Sequence, residues 1–210
     1  MERSAGRSVK GVPFGRIIAF TDGVFAIAIT LLVLNLEVPE VPLSRRQDLG
    51  AYLGALWGDV GAYFVSFAVL GRFWLVHHRL FSTLHRFDSR LMVLNLAYLS
   101  LIVLVPFPAE LLGEYGDETW PAVIYASVLG GAATLNWVMA RHTVRGGLVH
   151  PDPHEVTPPW GGGRALLIPV VFLASIPVAF ASPLAAELMW VGLIFARVAV
   201  AFRGPRAAPD

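Results

Sequence analysis

The stretch FGRIIAFTDGVFAIAITLLVLNLE, from Phe14 to Glu37, is an apolar run long enough to cross a bilayer, yet it carries Arg16, Thr21 and Asp22 near one end and Thr30 in its middle. A plain lipid anchor needs none of these groups. On a helix turning about 100° per residue, Gly23, Ile27, Thr30, Leu31 and Leu34 share one stripe, while Asp22 points roughly the opposite way. One face is therefore almost dry, with a single hydroxyl, as a narrow constriction requires. The other carries a carboxylate that must find a partner among neighbouring helices. The stripe reads as pore-lining, and a dry stripe is equally what a lipid-facing or packed membrane helix presents.

The rest of the chain is of the same kind. Hydrophobic residues make up 56% and charged residues 15% of the 210, with a mean hydropathy of +0.63, which places the chain among polytopic membrane proteins rather than soluble domains. The absence of cysteine removes disulfides, thiolate nucleophiles and cysteine metal sites from consideration. A net charge of +1 argues against a nucleic-acid partner, because neutralising phosphates needs a concentrated basic surface. Arg3, Arg7 and Lys10 resemble the start of a signal peptide. The apolar segment after them is too long for that and lacks a small-residue cleavage site, so it is kept as a membrane span.

Six spans are predicted. The first ends at VPEVP, where proline withholds a backbone donor and restricts its predecessor. The second runs from about Gly50 to His78 and includes Asp59 and Arg72, and the third from about Leu91 to Leu112 with Asn95 inside it. The fourth covers about Trp120 to Ala140, with GGAA at its centre, where small side chains admit a close neighbour. The fifth covers about Ala165 to Ala181 with Pro169 and Pro177, and the sixth about Leu184 to Phe202. Basic residues alternate by loop. Arg79, Arg86 and Arg90, then Arg141, Arg145 and Arg164, then Arg203 and Arg206 fall on the side of the N-terminal cluster, whereas the other side has only Arg45 and Arg46 beside many carboxylates. Both termini are therefore expected in the cytoplasm. The organisation expected is a cytoplasmic segment over 1–13, a six-helix, all-α transmembrane domain over 14–203 and a cytoplasmic tail over 204–210.

Depth relates the polar residues inside these spans. Asp22 and Arg72 each lie about 9 Å in from the cytoplasmic ends of their helices, at a height that lets them pair. Asn95 and Asn136 enter from the same side, and Thr21, Trp74 and His77 lie close enough to join them. This polar layer either locks helices together or relays protons or ions.

Arg16 with Phe20, Thr21 and Asp22 resembles the Arg-x-x-x-Phe-Ser-Asp signature on the first helix of the transmembrane-protein-175 family, potassium-permeable channels of lysosomes and prokaryotes. The following GVFAIAITLLVLNLEVP, the FWLVHHRLF that ends the second span and the PFPAELLGEY that ends the third are each similar to blocks of that family, in the same order. Thr21 departs from the usual serine and keeps the hydroxyl.

The resemblance implies a multi-pass channel of a prokaryotic plasma membrane, a homotetramer with the first helix of each subunit lining a central pore. Ile27, Leu31 and Leu34 correspond to hydrophobic pore layers, and Thr30 to a threonine proposed to act in potassium selectivity. The signature residues correspond to a group that stabilises packing on the second helix, through Trp74 and His77. Potassium ions and the lipid bilayer are the partners implied, with no cofactor and no enzymatic activity. Nothing resembling the TVGYG carbonyl filter is present.

Two other classes are weighed. His77, His78, His85 and Asp88 offer metal-ligand types, but adjacent helical histidines project about 100° apart and rarely hold one ion, so no metal site is expected. A secondary transporter or a proton-conducting channel is the alternative, using the Asp22 and Arg72 layer to bind substrate or protons. The chain shows no inverted repeat or paired broken helices of the transporter kind.

Overall fold

The architecture is taken from a computed structural model, which describes residues 14–36, 50, 54, 56–150 and 166–202. The expected N-terminal segment 1–13, the loop around Arg45 and Arg46 and the tail 204–210 lie outside the described residues. Among the described residues the regular structure is helical: α1 (Phe14–Leu31) running into a 3-10 turn (Leu32–Asn35), α2 (Trp57–Ser82), α3 (Ser89–Leu104), α4 (Pro106–Glu114), α5 (Thr119–Arg145), α6 (Leu167–Ala179) and α7 (Pro183–Phe202). This is the all-α class expected. Among the described residues three stretches are long and apolar enough to cross a membrane: Phe14–Leu34, Ser89–Glu114 and Thr119–Arg145. Leu167–Ala179 is a shorter apolar helix.

The expected third span is broken into two helices. Val105 donates to the Ile102 carbonyl three residues back, tightening the last turn of α3, and Pro106 opens α4 at a position where a missing N–H costs nothing. Val105 itself keeps helical angles, so the two helices follow one another as a single apolar stretch of 26 residues.

The core is organised around α5, which packs against α3, α4 and α6, while α6 packs on α7. Its sequence explains its position. Ala122, Ala126, Gly130, Ala132, Ala133 and Ala140 are all buried and small, so neighbouring backbones approach closely. At Gly130 a Cβ would sit 2.9 Å from the Leu173 Cδ2 and 3.2 Å from the Phe172 Cβ of α6. The α1 helix is peripheral and packs on α2 and α3.

One end of the bundle is tied by a latch. Leu84 and Val149 form an isolated antiparallel bridge, supported by His85 N–H to the Leu148 carbonyl at 3.1 Å and His150 N–H to the Thr83 carbonyl at 2.9 Å. The Arg86 guanidinium donates to the Gly146 and Gly147 carbonyls at 3.1–3.2 Å, satisfying acceptors that the end of α5 leaves open. Gly147 takes φ +58°, where a side chain is disfavoured. Asp88 caps α3 by accepting from the Leu91 N–H at 2.7 Å and also meets the His142 Nε2 at 2.8 Å. Burial acts to raise the Asp88 carboxyl, but these bonds outweigh it and hold the group below the usual carboxylate range.

The α5–α6 contact gives a stability prediction. Gly130→Val drives a branched side chain into Leu173 and the α6 backbone, and is expected to cost roughly 1–3 kcal/mol by overpacking, whereas Gly113→Ala, with nothing within 4 Å, is neutral. Thermal melting of the purified protein in detergent checks this, and equal melting points for the two variants would contradict it.

Candidate functional site

On α1 burial divides the helix cleanly. Ile17, Thr21, Phe25, Ala28 and Leu32 are buried and fall on one side. Gly23, Ile27, Thr30, Leu31 and Leu34 are exposed on the other, with Ile27 58% and Leu34 69% accessible in the single chain. Phe20 and Arg16 are exposed with them. The stripe derived from helical periodicity is thus the face that α1 turns away from its own bundle.

The Thr30 hydroxyl donates to the Ile27 carbonyl of the preceding turn at 2.8 Å. Its single proton is consumed inside the helix, so the oxygen presents lone pairs outward.

The opposite face is held by a buried polar chain. Asn95 of α3 donates from Nδ2 to the Thr21 Oγ1 of α1 at 3.0 Å, and its Oδ1 lies 2.8 Å from the His77 Nε2 of α2. With the amide nitrogen directed to Thr21, the carbonyl accepts from an Nε2–H tautomer of His77. All three side chains are 2% exposed, so no water replaces any of these bonds. The His77 ring is clamped by aromatic groups: it stacks on Phe81 at 4.0 Å and on Tyr98 at 5.0 Å, and Phe25 leans on it at 6.0 Å. Tyr98 in turn donates to the Phe73 carbonyl at 3.3 Å.

Nearer the surface of the same layer, the Trp74 Nε1–H donates to the Asp22 Oδ1 at 2.9 Å, and the Trp74 ring lies 5.3 Å from His78. Asp22 and Trp74 are half-buried, as is Arg72 two residues earlier on α2. The geometry therefore brings Thr21, Asp22, Trp74, His77 and Asn95 into one layer across three helices. Asn136 is buried on α5, and its Oδ1 has no hydrogen-bond partner among the described residues. The aromatic clamp of Phe25, Phe81 and Tyr98 was not foreseen from sequence, because these residues look like ordinary core until α2 and α3 are docked. Among the described residues no cluster of three or more metal-ligating side chains occurs.

These features define an all-helical membrane protein whose first helix is braced by buried hydrogen bonds on one side and offers an apolar, hydroxyl-bearing stripe on the other. Residues 16–106 match the family model of the endosomal/lysosomal potassium channel TMEM175. The fold matches the crystal structure of a lysosomal potassium-selective channel TMEM175 homologue from Chamaesiphon minutus, with TM-score 0.72 and 33% identity over 87% of this chain and 96% of that one. The chain belongs to the TMEM175 family. A potassium channel of Streptomyces collinus is 46% identical over 114 residues, 54% of this chain and 54% of the relative. The endosomal/lysosomal proton channel TMEM175 of Gallus gallus is 35% identical over 111 residues, 50% of this chain and 22% of that protein. The chain thus spans about half the length of the curated bacterial relative it matches. These relatives are named as ion channels, not enzymes.

The Trp74 to Asp22 bond yields a double-mutant prediction. Trp74→Phe and Asp22→Asn each weaken the same contact, so the double variant should lose about 1 kcal/mol less than the sum of the singles, within the range of hydrogen bonds measured between membrane helices. Strictly additive losses in unfolding free energy would show that the two side chains act independently.

Proposed function

We propose that the protein is a potassium-permeable cation channel of the plasma membrane, six spans per subunit with both termini cytoplasmic, in which the α1 helices of four copies surround a central pore. The observation that carries this reading is the exposed face of α1: Ile27, Thr30, Leu31 and Leu34 are turned out of the bundle while the other face is pinned by Asn95. An apolar stripe bearing one hydroxyl has little reason to be so firmly oriented unless a particular surface meets it. Family membership supports a second copy of α1, rather than lipid, as that surface.

On this reading symmetry multiplies each stripe residue around one axis. Rings of Ile27, Leu31 and Leu34 close the pore by dewetting: a narrow apolar ring expels water, and an ion passing it loses hydration without a replacement ligand. The Thr30 oxygens, whose protons are engaged with Ile27 carbonyls, supply acceptors suited to a cation. Potassium, more cheaply dehydrated than sodium, is the ion such a sparse ligand set favours. The helix-locking layer of Thr21, Asp22, Trp74, His77 and Asn95, with Arg16 and Phe20 at the same end of α1, fixes the rotation that keeps the stripe toward the axis. Permeant potassium is the only small partner this mechanism needs.

A proton-conducting mode is the second reading. The hydrogen-bonded run from Thr21 through Asn95 to His77 favours it, as does the naming of vertebrate relatives as proton channels. A transporter using Asp22 and Arg72 is less well supported, because the sequence shows no inverted repeat or paired broken helices.

Planar-bilayer recording of the purified protein under a potassium/sodium gradient separates these readings. Leu34→Ser and Ile27→Asn should raise open probability or leak by wetting the ring, and Thr30→Val should lower potassium-over-sodium preference more than conductance. Val93→Ala, on the exposed outer face of α3, serves as control and leaves permeation unchanged. Phe25 is unsuitable as a control because it is buried against His77 and Tyr98. Parent-like currents in both polar variants would place the pore on another surface, and saturable uptake without unitary steps would favour the transporter.

A further inference from the structure

A cavity of about 200 Å³ lies among α2, α4, α5, α6 and α7, and none of its lining residues belongs to α1. Its walls are mostly aliphatic on the α2 and α4 side, with Ser66 among them, and aromatic on the other, where Tyr125, Phe172 and Trp190 meet. The Trp190 ring packs against both others, its centroid 5.1 Å from Tyr125 and 5.9 Å from Phe172, so the three rings meet at this wall. The Trp190 Nε1–H is occupied by the buried Ser175 Oγ at 2.8 Å, which fixes the ring. Tyr125 is likewise engaged, by a hydrogen bond with Ser66.

Glu187 lines the same cavity, three residues before Trp190 on α7 and therefore on the same helix face. It is half-buried, and among the described residues no cation lies against it. A carboxylate set in an apolar wall of a membrane helix is costly and calls for a positively charged partner.

We propose that this cavity binds an organic ammonium group, with Glu187 meeting the charge and Trp190, Tyr125 and Phe172 meeting its carbon substituents. Aromatic faces attract a cation through their quadrupole, and rings gathered beside a carboxylate are the usual setting for quaternary ammonium recognition. The alternatives fit less well. A metal ion such as calcium takes six to eight oxygen ligands, far more than one carboxylate and two engaged hydroxyls supply. An anion is repelled by Glu187, and a neutral hydrocarbon leaves the carboxylate unpartnered. The volume suits a small head group, since apolar cavities of about 150 Å³ hold benzene. Free amines and the head groups of choline or ethanolamine lipids share this chemistry.

The test is calorimetric titration of choline into the full chain in phosphatidylglycerol nanodiscs, beside dimethylbutanol, its neutral isostere with carbon in place of the ammonium nitrogen. Choline should bind saturably, and Glu187→Gln should weaken it about tenfold or more while leaving dimethylbutanol unchanged. Trp190→Leu should weaken choline as well, and because that variant risks unfolding, the shape-conserving Glu187→Gln decides the matter. Nanodiscs that also contain phosphatidylcholine identify the source: lost binding of free choline points to a lipid head group, retained binding to a soluble amine. Equal affinity for choline and its isostere, unchanged choline affinity in Glu187→Gln, or no choline heat up to about 10 mM would overturn the proposal.

Discussion

One side chain holds three helices in register. Asn95, on α3, uses its amide nitrogen on Thr21 of α1 and its carbonyl on His77 of α2, all at 2% exposure. In hydrocarbon a polar group that loses its partner finds no water in exchange, so each bond resists breaking more through the orphaned groups it would leave than through its own net strength. A helix rotated by one residue turns through about 100°, which would carry Thr21 out of reach of Asn95 and turn the Ile27 and Leu34 face toward α2 and α3. The direction in which α1 presents its apolar stripe therefore depends on this contact.

The other parts of the fold make that contact possible. The small residues of α5 draw α3 and α6 close, and α3 then carries Asn95 and Tyr98 to the layer where His77 stands. Tyr98, Phe81 and Phe25 fix the His77 ring, so the imidazole is held as a rigid strut between α2 and α3. At one end of the bundle, Asp88 starts α3 while meeting His142, and Arg86 closes the end of α5. The loop between α2 and α3 is thereby bound to α5, which keeps the His77 and Asn95 helices at a constant spacing. A peripheral helix braced in this way can meet a second copy of itself without relying on the partner for its own orientation.

Much of this was legible in the sequence because polar residues inside apolar runs stand out. Thr21, Asp22, Trp74, His77 and Asn95 were placed at one depth by counting along helices, and the structure brings them into one layer. Depth gives height but not direction around the helix axis. Asn136, which enters its helix to a similar depth, consequently joins none of these bonds through its Oδ1. Height alone did not say which group on α2 meets Asp22; the structure shows the Trp74 indole N–H donating to it, in keeping with the packing that the family resemblance implies. The junction at Val105 was missed because Pro106 reads equally well as the tolerated proline of a continuous membrane helix. The cavity beside Glu187 arises from five helices meeting, and no periodicity within one of them announces it.

The central claim is that the outward face of α1 lines a water-filled path in the open channel. The chain contains no cysteine, so single cysteines can be introduced along α1 without a background thiol. Cysteines placed in turn at Gly23, Ile27, Thr30 and Leu34, and at the buried positions Phe25, Ala28 and Leu32, are exposed to a charged thiol reagent while bilayer current is recorded. The account predicts that modification at Gly23, Ile27, Thr30 and Leu34 changes the current and that Phe25, Ala28 and Leu32 stay silent. Current changes confined to the buried set, or unrelated to the helical repeat, would contradict it.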